Sequence, residues 1–410
     1  MKTWLQVEVD RTPLPGFAAD YESFIAAQSG ADLEIARSGD DLFFLYTGGT
    51  TGMPKGVMWR QGDLRQAQMN PALMPVVPTT LAEHVDIVRA QIGNRFIPAC
   101  PQMHGTGLLT SMGALTGGGC VITLDAPSFE AVELWDVTAR HKAQQIAIVG
   151  DAFAKPMLRA LDENPGRWDL SSLVTIISSG VMWSQEVKHG LMRHIPQVTL
   201  LDSFGSSEAV GFAMSATTKD GEAATATFTL GSDVAVFTPD HKPVAPGATD
   251  PGFIARGGNI PVGYWKDAEK TAKTFPLIDG KRWSIPGDYC LLHADSSITL
   301  LGRGSVCINT AGEKVYPEEV EEVLKQHASI EDALVVGVPD DKWGSAVTGI
   351  VELSPGASFD EDALRKHVRA SLAGYKTPKR VVAIERMFRA SNGKADYKAA
   401  TEYARKTLGL

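Results

Sequence analysis

The chain has 410 residues, 44% of them hydrophobic and 21% charged, which excludes wholesale disorder and suffices for more than one packed core. Its formal charge is −9, from 39 Lys and Arg against 48 Asp and Glu; this is no footprint for a nucleic acid, and mild acidity bears on solubility more than on a partner. Four scattered cysteines, Cys100, Cys120, Cys290 and Cys307, form no C-x-x-C pair, so neither a zinc site nor a redox motif is expected, and a reducing compartment suits them. The opening residues 1–10 lack the apolar core of a signal peptide and no apolar run is long enough to cross a bilayer, so a cytoplasmic location is expected.

In chain order, residues 42–46 read as a buried strand, 129–142 as a helix, 145–149 and 174–177 as strands, 185–194 as a helix and 198–201 as a strand. Strands alternating with helices predict a large, mainly parallel, doubly wound α/β sheet, whose ligands bind beyond the carboxyl ends of the strands. Turn residues are dense over about 223–301, where only 267–275 has helical character, so a β-rich subdomain is expected there. After Gly302 the pattern is that of a small α+β domain. A helix starts at Pro317 with acids in its first turn, strands follow at 333–338 and 347–353, then a helix at 360–372 and a strand at 381–384. The expected division is therefore 1–301 and 302–410, with the boundary in 302–308.

The segment with the clearest chemistry is Tyr46-Thr47-Gly48-Gly49-Thr50-Thr51-Gly52-Met53-Pro54-Lys55-Gly56-Val57, directly after the first strand. Its glycines leave backbone N–H groups accessible, three threonine hydroxyls add donors and Lys55 adds charge, so the loop can wrap a polyphosphate. Read from composition alone, it could equally be a flexible surface loop. It is not a G-x-x-x-x-G-K-[ST] loop; no G-x-G-x-x-G follows a strand and no G-x-S-x-G elbow occurs, which disfavours a dehydrogenase and a serine hydrolase.

This loop resembles the phosphate-binding signature of the adenylate-forming superfamily, which holds acyl-CoA synthetases, firefly-type luciferases and the adenylation domains of peptide synthetases. The resemblance recurs in the family's order. It passes through Pro101-Gln102-Met103-His104-Gly105, Ser203-Phe204-Gly205-Ser206-Ser207-Glu208, the stretch from Gly257 to Trp265, Gly287-Asp288, Gly302-Arg303 with the stretch from Gly312 to Glu321, and Ser391-Asn392-Gly393-Lys394. It implies an ATP-dependent enzyme that activates a carboxylic acid as acyl-AMP and passes the acyl group to coenzyme A, with Mg²⁺ assisting.

The roles implied are these. Thr47, Gly48, Gly49, Thr50, Thr51, Gly52 and Lys55 hold phosphates, and Thr51 also assists catalysis. Phe204, Gly205, Ser206 and Ser207 surround adenine and the α-phosphate; Phe204, where the family more often has Tyr, could alternatively be a core aromatic. Glu208 binds the metal. Asp288 and Arg303 take the ribose and adjacent charge, and Gly312 lies near the thiol route. His104, Gly180 and Val181 border the acyl site. Lys394, in isolation one solvated lysine among many, meets the charge of the adenylation transition state.

The resemblance further implies that the small domain rotates between the two half-reactions, with Ser305 at the hinge position. Ser305→Pro is expected to keep ATP–pyrophosphate exchange and lose thioester formation; survival of both would misplace the hinge. Asn309 stands where many relatives carry a second lysine, and Pro286 replaces a usual Thr. The loop, Met58-Trp59-Arg60 and the neutral 304–309 stretch are similar to a branch of bacterial fatty-acid and sterol-side-chain acyl-CoA synthetases. In full-length relatives the phosphate loop lies further along the chain, so part of the first subdomain is expected to be missing here, exposing apolar surface and favouring association. Loading of a carrier protein, or a non-catalytic remnant, are the other readings.

Overall fold

Runs rich in Val, Ile, Leu and Phe, punctuated by Gly, Pro and Asp, set strands and helices at the expected spacing. The computed structural model describes residues 4–7, 13–31, 33–47, 55–69, 78–181, 183–219, 221, 227–231, 233–310, 313–390 and 393–410. Two compact units result, Met1–Ser38 and Gly39–Leu410. In the first, Trp4–Gln6 pairs in parallel with Ala18–Asp20, and Asp20 caps the short helix Tyr21–Ala26 by accepting from the Ser23 N–H at 3.0 Å.

The second unit is built on one large sheet. Cys120–Val121, Arg95–Pro98, Gln145–Ile148, Thr175–Ser179 and Thr199–Ser206 lie parallel in that spatial order. Ala209–Thr217 then returns antiparallel, because a two-residue turn cannot supply the crossover a parallel neighbour needs. Thr227–Leu230, Ser297–Arg303, Asp288–Leu292, Gly252–Arg256 and Val234–Phe237 continue the sheet, all antiparallel. The β-rich stretch expected over 223–301 is thus hydrogen-bonded to the parallel half as its continuation. The helices Ala131–His141, Asp151–Glu163 and Gln185–His194 connect the parallel strands, and the core between them includes Trp135, Ile146, Ile148, Met157, Ile176 and Leu191.

Residues 42–46 do form a strand, Leu42–Thr47, but not a buried one: Leu45 is 3% exposed, while Leu42 is 44% and Tyr46 58% exposed. The strand is the edge of a separate three-stranded antiparallel sheet, next to Lys55–Arg60 and then Gly263–Tyr264. Thr47 pairs with Lys55, so the phosphate-loop residues join the two strands of a hairpin.

Toward the C-terminus, Ile330–Asp340, Gly344–Leu353 and Arg380–Ile384 form a three-stranded sheet. Alternate residues of its first strand enter different cores: Ala333 and Val335 meet Val320, Leu324 and Val368, whereas Leu334 and Val336 meet Ile350, Ala400 and Ala404. Burial on both faces explains its unbroken apolar run. The helix Pro317–Lys325 begins with the expected proline, and Glu319 accepts from the Tyr316 N–H at 3.3 Å. The helix Tyr397–Leu408, which the sequence reading left unassigned, packs its Ala400 and Ala404 under the sheet. Among the described residues no helix is long and apolar enough to cross a membrane.

Gly302 has φ +106, and a Cβ there would lie 2.2 Å from the Glu318 carboxylate oxygen Oε2, so only glycine admits that side chain. Oε2 is buried without a hydrogen-bond partner. Burial first, then the neighbouring Glu321, raises the Glu318 pKa above the usual carboxylate range. The folded state therefore holds this proton more tightly than the unfolded chain does. The stabilising contribution is present below the ordinary glutamate pKa and is lost as pH rises through the raised value. Glu318→Gln is expected to melt higher than the parent at alkaline pH and to differ less at pH about 4; thermal melts across pH check this, and an unchanged pH profile would refute it.

Candidate active site

The site is assembled from chain segments that local structure alone would leave apart. On Lys55–Arg60, Trp59 is fully buried and its indole N–H donates to the Ser207 carbonyl at 2.9 Å. The Trp265 N–H donates to the Gly56 carbonyl and the Val262 N–H to the Met58 carbonyl, both at 2.8 Å. These bonds bring the loop's outgoing strand, the Ser206–Glu208 turn and the 257–265 segment together. Lys55 forms an ion pair with Asp267, which also caps the helix Ala268–Thr274 through the Lys270 N–H at 3.0 Å. The Lys55 charge is thereby anchored at the base of the loop.

Glu208 sits at the tip of the hairpin between Thr199–Ser206 and Ala209–Thr217 and is 6% exposed. The Tyr264 hydroxyl donates to its Oε1 at 2.7 Å, and Ser284 Oγ donates to its backbone carbonyl at 2.7 Å. Burial, then the Glu208 charge, pushes the Tyr264 pKa well above the usual tyrosine range, so the phenol remains a donor that orients the carboxylate. Phe204 stacks on Phe212 with centroids 5.2 Å apart and touches Phe228 at 5.8 Å. One side of its ring is therefore committed to the core. Gly205 lies so close to the returning strand that a Cβ would sit 3.2 Å from the Ala209 carbonyl oxygen. Ser206 Oγ is buried with no partner.

Asp288 and Arg303 are cross-strand neighbours, with Nε to Oδ1 at 3.4 Å. Asp288 is 6% exposed and its Oδ2 is buried without a partner. Burial raises its pKa, opposed by Arg303, and the same pairing raises that of Arg303. The pair is a charge-balanced unit with one acceptor atom to spare.

Lys394 approaches from the far end of the chain. Gly393, φ +80, packs so that a Cβ would meet Ala152 Cβ at 3.2 Å and the Val149 carbonyl oxygen at 3.4 Å. Lys394 keeps part of its side chain in solvent, yet surrounding protein lowers its pKa. Arg303 also lowers it, whereas Glu208 and Asp288 raise it. Its ammonium thus lies within electrostatic reach of all three. It is also felt by His104, whose pKa is brought down to about 4 by burial and then by Lys394; that imidazole is neutral at physiological pH. His104 caps the helix Gly105–Thr116, accepting at Nδ1 from the Thr106 N–H at 3.3 Å. A Cβ at Gly180 would lie 3.2 Å from His104 Cε1, so these two expected acyl-site residues are in contact. Val181 lies on the cleft formed by Asp151, Lys155, Lys325 and Arg389.

Gly48, Gly49, Thr50, Thr51, Gly52 and Gly312 lie outside the described residues. Of those described, Thr47 and Lys55 bracket the loop, and Phe204, Gly205, Ser206, Ser207 and Glu208 form one strand end and turn. Asp288 and Arg303 form a pair at 3.4 Å, and Lys394 feels the charges of Glu208, Asp288 and Arg303 and is itself felt by His104. Sequence reasoning assigned no role to Trp59, Tyr264 or Ser284. Tyr264 stood within a recognised motif, but nothing local signalled its bond to Glu208.

No group of three or more His, Cys, Asp or Glu suited to a metal occurs among the described residues. A single buried carboxylate, Glu208, oriented by Tyr264, is the donor set that fits Mg²⁺ held mainly by substrate phosphates and water.

Strand ends and turns bearing a buried carboxylate, an aspartate–arginine pair and a late-sequence lysine define a nucleotide-handling α/β enzyme. The AMP-binding enzyme family matches residues 5–265, and the AMP-binding enzyme C-terminal domain matches residues 319–394. The chain belongs to the AMP-binding enzyme family. It is 40% identical over 379 residues to a medium/long-chain-fatty-acid–CoA/3-oxocholest-4-en-26-oate–CoA ligase of Mycobacterium marinum, covering 91% of this chain and 68% of that protein. It is 40% identical over 394 residues to a 3-oxocholest-4-en-26-oate–CoA ligase of Rhodococcus rhodochrous, covering 93% and 70%. Among solved structures, ATP-bound MatB from Rhodopseudomonas palustris is similar with a TM-score of 0.75 and 25% identity, over 94% of this chain and 73% of that one.

Proposed function

We propose that this chain is an AMP-forming acid–thiol ligase that converts a fatty acid or a sterol-side-chain acid to its coenzyme A thioester. The observation that carries the reading is the buried Glu208 carboxylate, oriented by the Tyr264 hydroxyl at 2.7 Å, together with the buried Asp288 paired with Arg303 at 3.4 Å, whose charges reach Lys394. The substrate class is supported by the acids named for the relatives from Mycobacterium marinum and Rhodococcus rhodochrous. ATP and coenzyme A as co-substrates are consistent with a cytoplasmic enzyme.

A carboxylate is a poor electrophile, because its charge is delocalised and its oxygen is a poor leaving group. In the first half-reaction its oxygen attacks the α-phosphorus of ATP; the bond to pyrophosphate breaks, giving acyl-AMP. In the second, the thiol sulfur attacks the acyl carbon, AMP departs and the thiol proton is released. Phe204 and Gly205 offer the half-buried strand end to adenine, and the spare Oδ2 of Asp288 accepts from the ribose hydroxyls. Thr47 and Lys55 fix the ends of the phosphate loop. Arg303 and Lys394 bring positive charge to the carboxylate and the α-phosphate as negative charge spreads in the transition state. The neutral His104 and Gly180 present an uncharged wall suited to the acyl portion. Glu208, held by Tyr264, would bind Mg²⁺, which supplies charge neutralisation at the phosphates.

The division into a large part, 1–301, and a mobile part, 302–410, with Ser305 in the hinge, belongs to this reading. It is supported by family matches ending at 265 and resuming at 319. The test is ATP–pyrophosphate exchange with short, long and sterol-derived acids, followed by mass spectrometry for acyl-AMP and acyl-CoA. Exchange with a long or sterol-derived acid, and acyl-CoA on adding the thiol, is the expected result. No exchange with any acid would identify a non-catalytic chain, and acyl-AMP that reacts only with a carrier protein would replace the acceptor.

A further inference from the structure

Arg389 has no part in the reaction described so far, yet it is tied to the lysine that does. Its guanidinium grips Asp332 in a fork, from Nε to Oδ2 and from NH2 to Oδ1 at 2.8 Å, and its NH1 donates to the Gly393 carbonyl at 3.1 Å. Both partners of the ion pair are largely enclosed, with side chains 15% and 19% exposed. The turn it braces is closed twice by backbone: Gly393 N–H donates to the Ala390 carbonyl at 2.8 Å, and Ala390 N–H to the Lys394 carbonyl at 2.9 Å. Arg389 and Ala395 pair across its base.

The far side of the same arrangement is fixed to the helix Asp151–Glu163. Glu331, the neighbour of Asp332, accepts from Arg159 NH2 at 3.0 Å, and its backbone carbonyl accepts from Lys155 Nζ. Gly393 rests on Ala152. Ala152, Lys155 and Arg159 are spaced three and four residues apart, so they share one helical face. That single face carries both the Glu331–Asp332 strand start and the turn bearing Lys394. Arg389 is the side chain that links those two contacts.

We infer that the Asp332–Arg389 pair is a positioning device for Lys394, transmitting the docking on Asp151–Glu163 to the ammonium that serves adenylation. The inference rests on the ligase reading above. Arg389 touches no substrate in this scheme; it acts through the Gly393 carbonyl. A planar fork suits the task, because one guanidinium satisfies both carboxylate oxygens and still reaches the turn, which an ammonium cannot. Misplacing a catalytic group by about 1 Å costs on the order of 10²-fold in rate.

The experiment compares the parent chain with R389M, R389K and D332N, measuring exchange kcat and KM, release of acyl-CoA from preformed acyl-AMP, and melting temperature. R389M is expected to lower exchange kcat by roughly 30- to 100-fold, with KM for ATP and acid within about twofold. Thioester formation from preformed acyl-AMP, which under the proposed rotation does not use Lys394, is expected to stay within about twofold. R389K, keeping charge without the fork, is expected to fall between R389M and the parent. D332N is expected to reproduce the kcat loss, and it carries the test if R389M does not fold. Parent-like exchange by R389M and D332N overturns the inference alone. Equal loss of both half-reactions with a lowered melting temperature also overturns it, in favour of a merely structural role. A parent chain without exchange overturns the inference together with the ligase reading.

Discussion

Replacing Lys394 by alanine is expected to lower ATP–pyrophosphate exchange by roughly 10²–10³-fold, about 3–4 kcal/mol of transition-state stabilisation, with little change in KM. Adenylation spreads negative charge over the attacking carboxylate and the α-phosphate oxygens. Lys394, Arg303 and Lys270 bring positive charge near this point; Lys270 Nζ lies over the Tyr264 ring, 4.4 Å from its centroid, and Arg303 is paired with Asp288 at 3.4 Å. Lys394 therefore adds its positive charge to that of Arg303 where this negative charge builds. The pH profile gives an independent check. Burial and Arg303 hold the Lys394 pKa below that of an ordinary lysine, and the charged form is the useful one. The exchange rate should fall as pH rises through that lowered value. Lys394→Arg should move this alkaline limb upward, and Lys394→Ala should abolish it. A Lys394→Ala enzyme with parental exchange would remove the central support of the mechanism.

The second large effect is expected at Trp59. Its side chain is fully buried among Val57, Leu64, Ile260, Tyr264 and Phe275, so Trp59→Ala should cost about 3–5 kcal/mol of stability through lost burial and the cavity left behind. The indole also serves the site, since its N–H satisfies the Ser207 carbonyl one residue before Glu208. Trp59→Phe separates the two roles. It keeps most of the apolar volume and leaves that carbonyl without its donor, at about 1–3 kcal/mol. Thermal or denaturant unfolding measures the first effect; exchange kinetics measure the second, where Trp59→Phe should lose activity beyond what its modest destabilisation explains. Equal stability of parent and Trp59→Ala would refute the packing argument. Parental kinetics in Trp59→Phe would free the Ser206–Glu208 turn from dependence on the indole.

Much of the fold was legible because its signals are local. The helix expected at 185–194 is Gln185–His194, where one apolar face and flanking turns suffice. The helix from Pro317 starts where proline and first-turn acids place it. Residues 42–46 show where such reading stops. Their β-forming composition gave a strand, but burial depends on what lies across each face, and this strand lies at the edge of its sheet. The continuation of the large sheet through 227–303 was likewise hidden, since strand neighbours are chosen by turns and packing far outside any short window. The helix Tyr397–Leu408 is anchored mainly by two alanines under the C-terminal sheet, a weak signal in sequence.

For the site the same boundary holds. The residue types and their order along the chain already determined the chemistry on offer: a glycine–threonine loop, a turn ending in Glu208, the Asp288 and Arg303 strands, and a terminal lysine. Only the tertiary structure decided that Trp59 reaches Ser207 across 148 residues, that Lys155 and Arg159 hold Glu331, and that Arg389 braces the turn of Lys394. Local propensity is a property of neighbouring residues, whereas these contacts exist because the packed sheets and helices leave each side chain a single place in which its charge or hydrogen bond is satisfied.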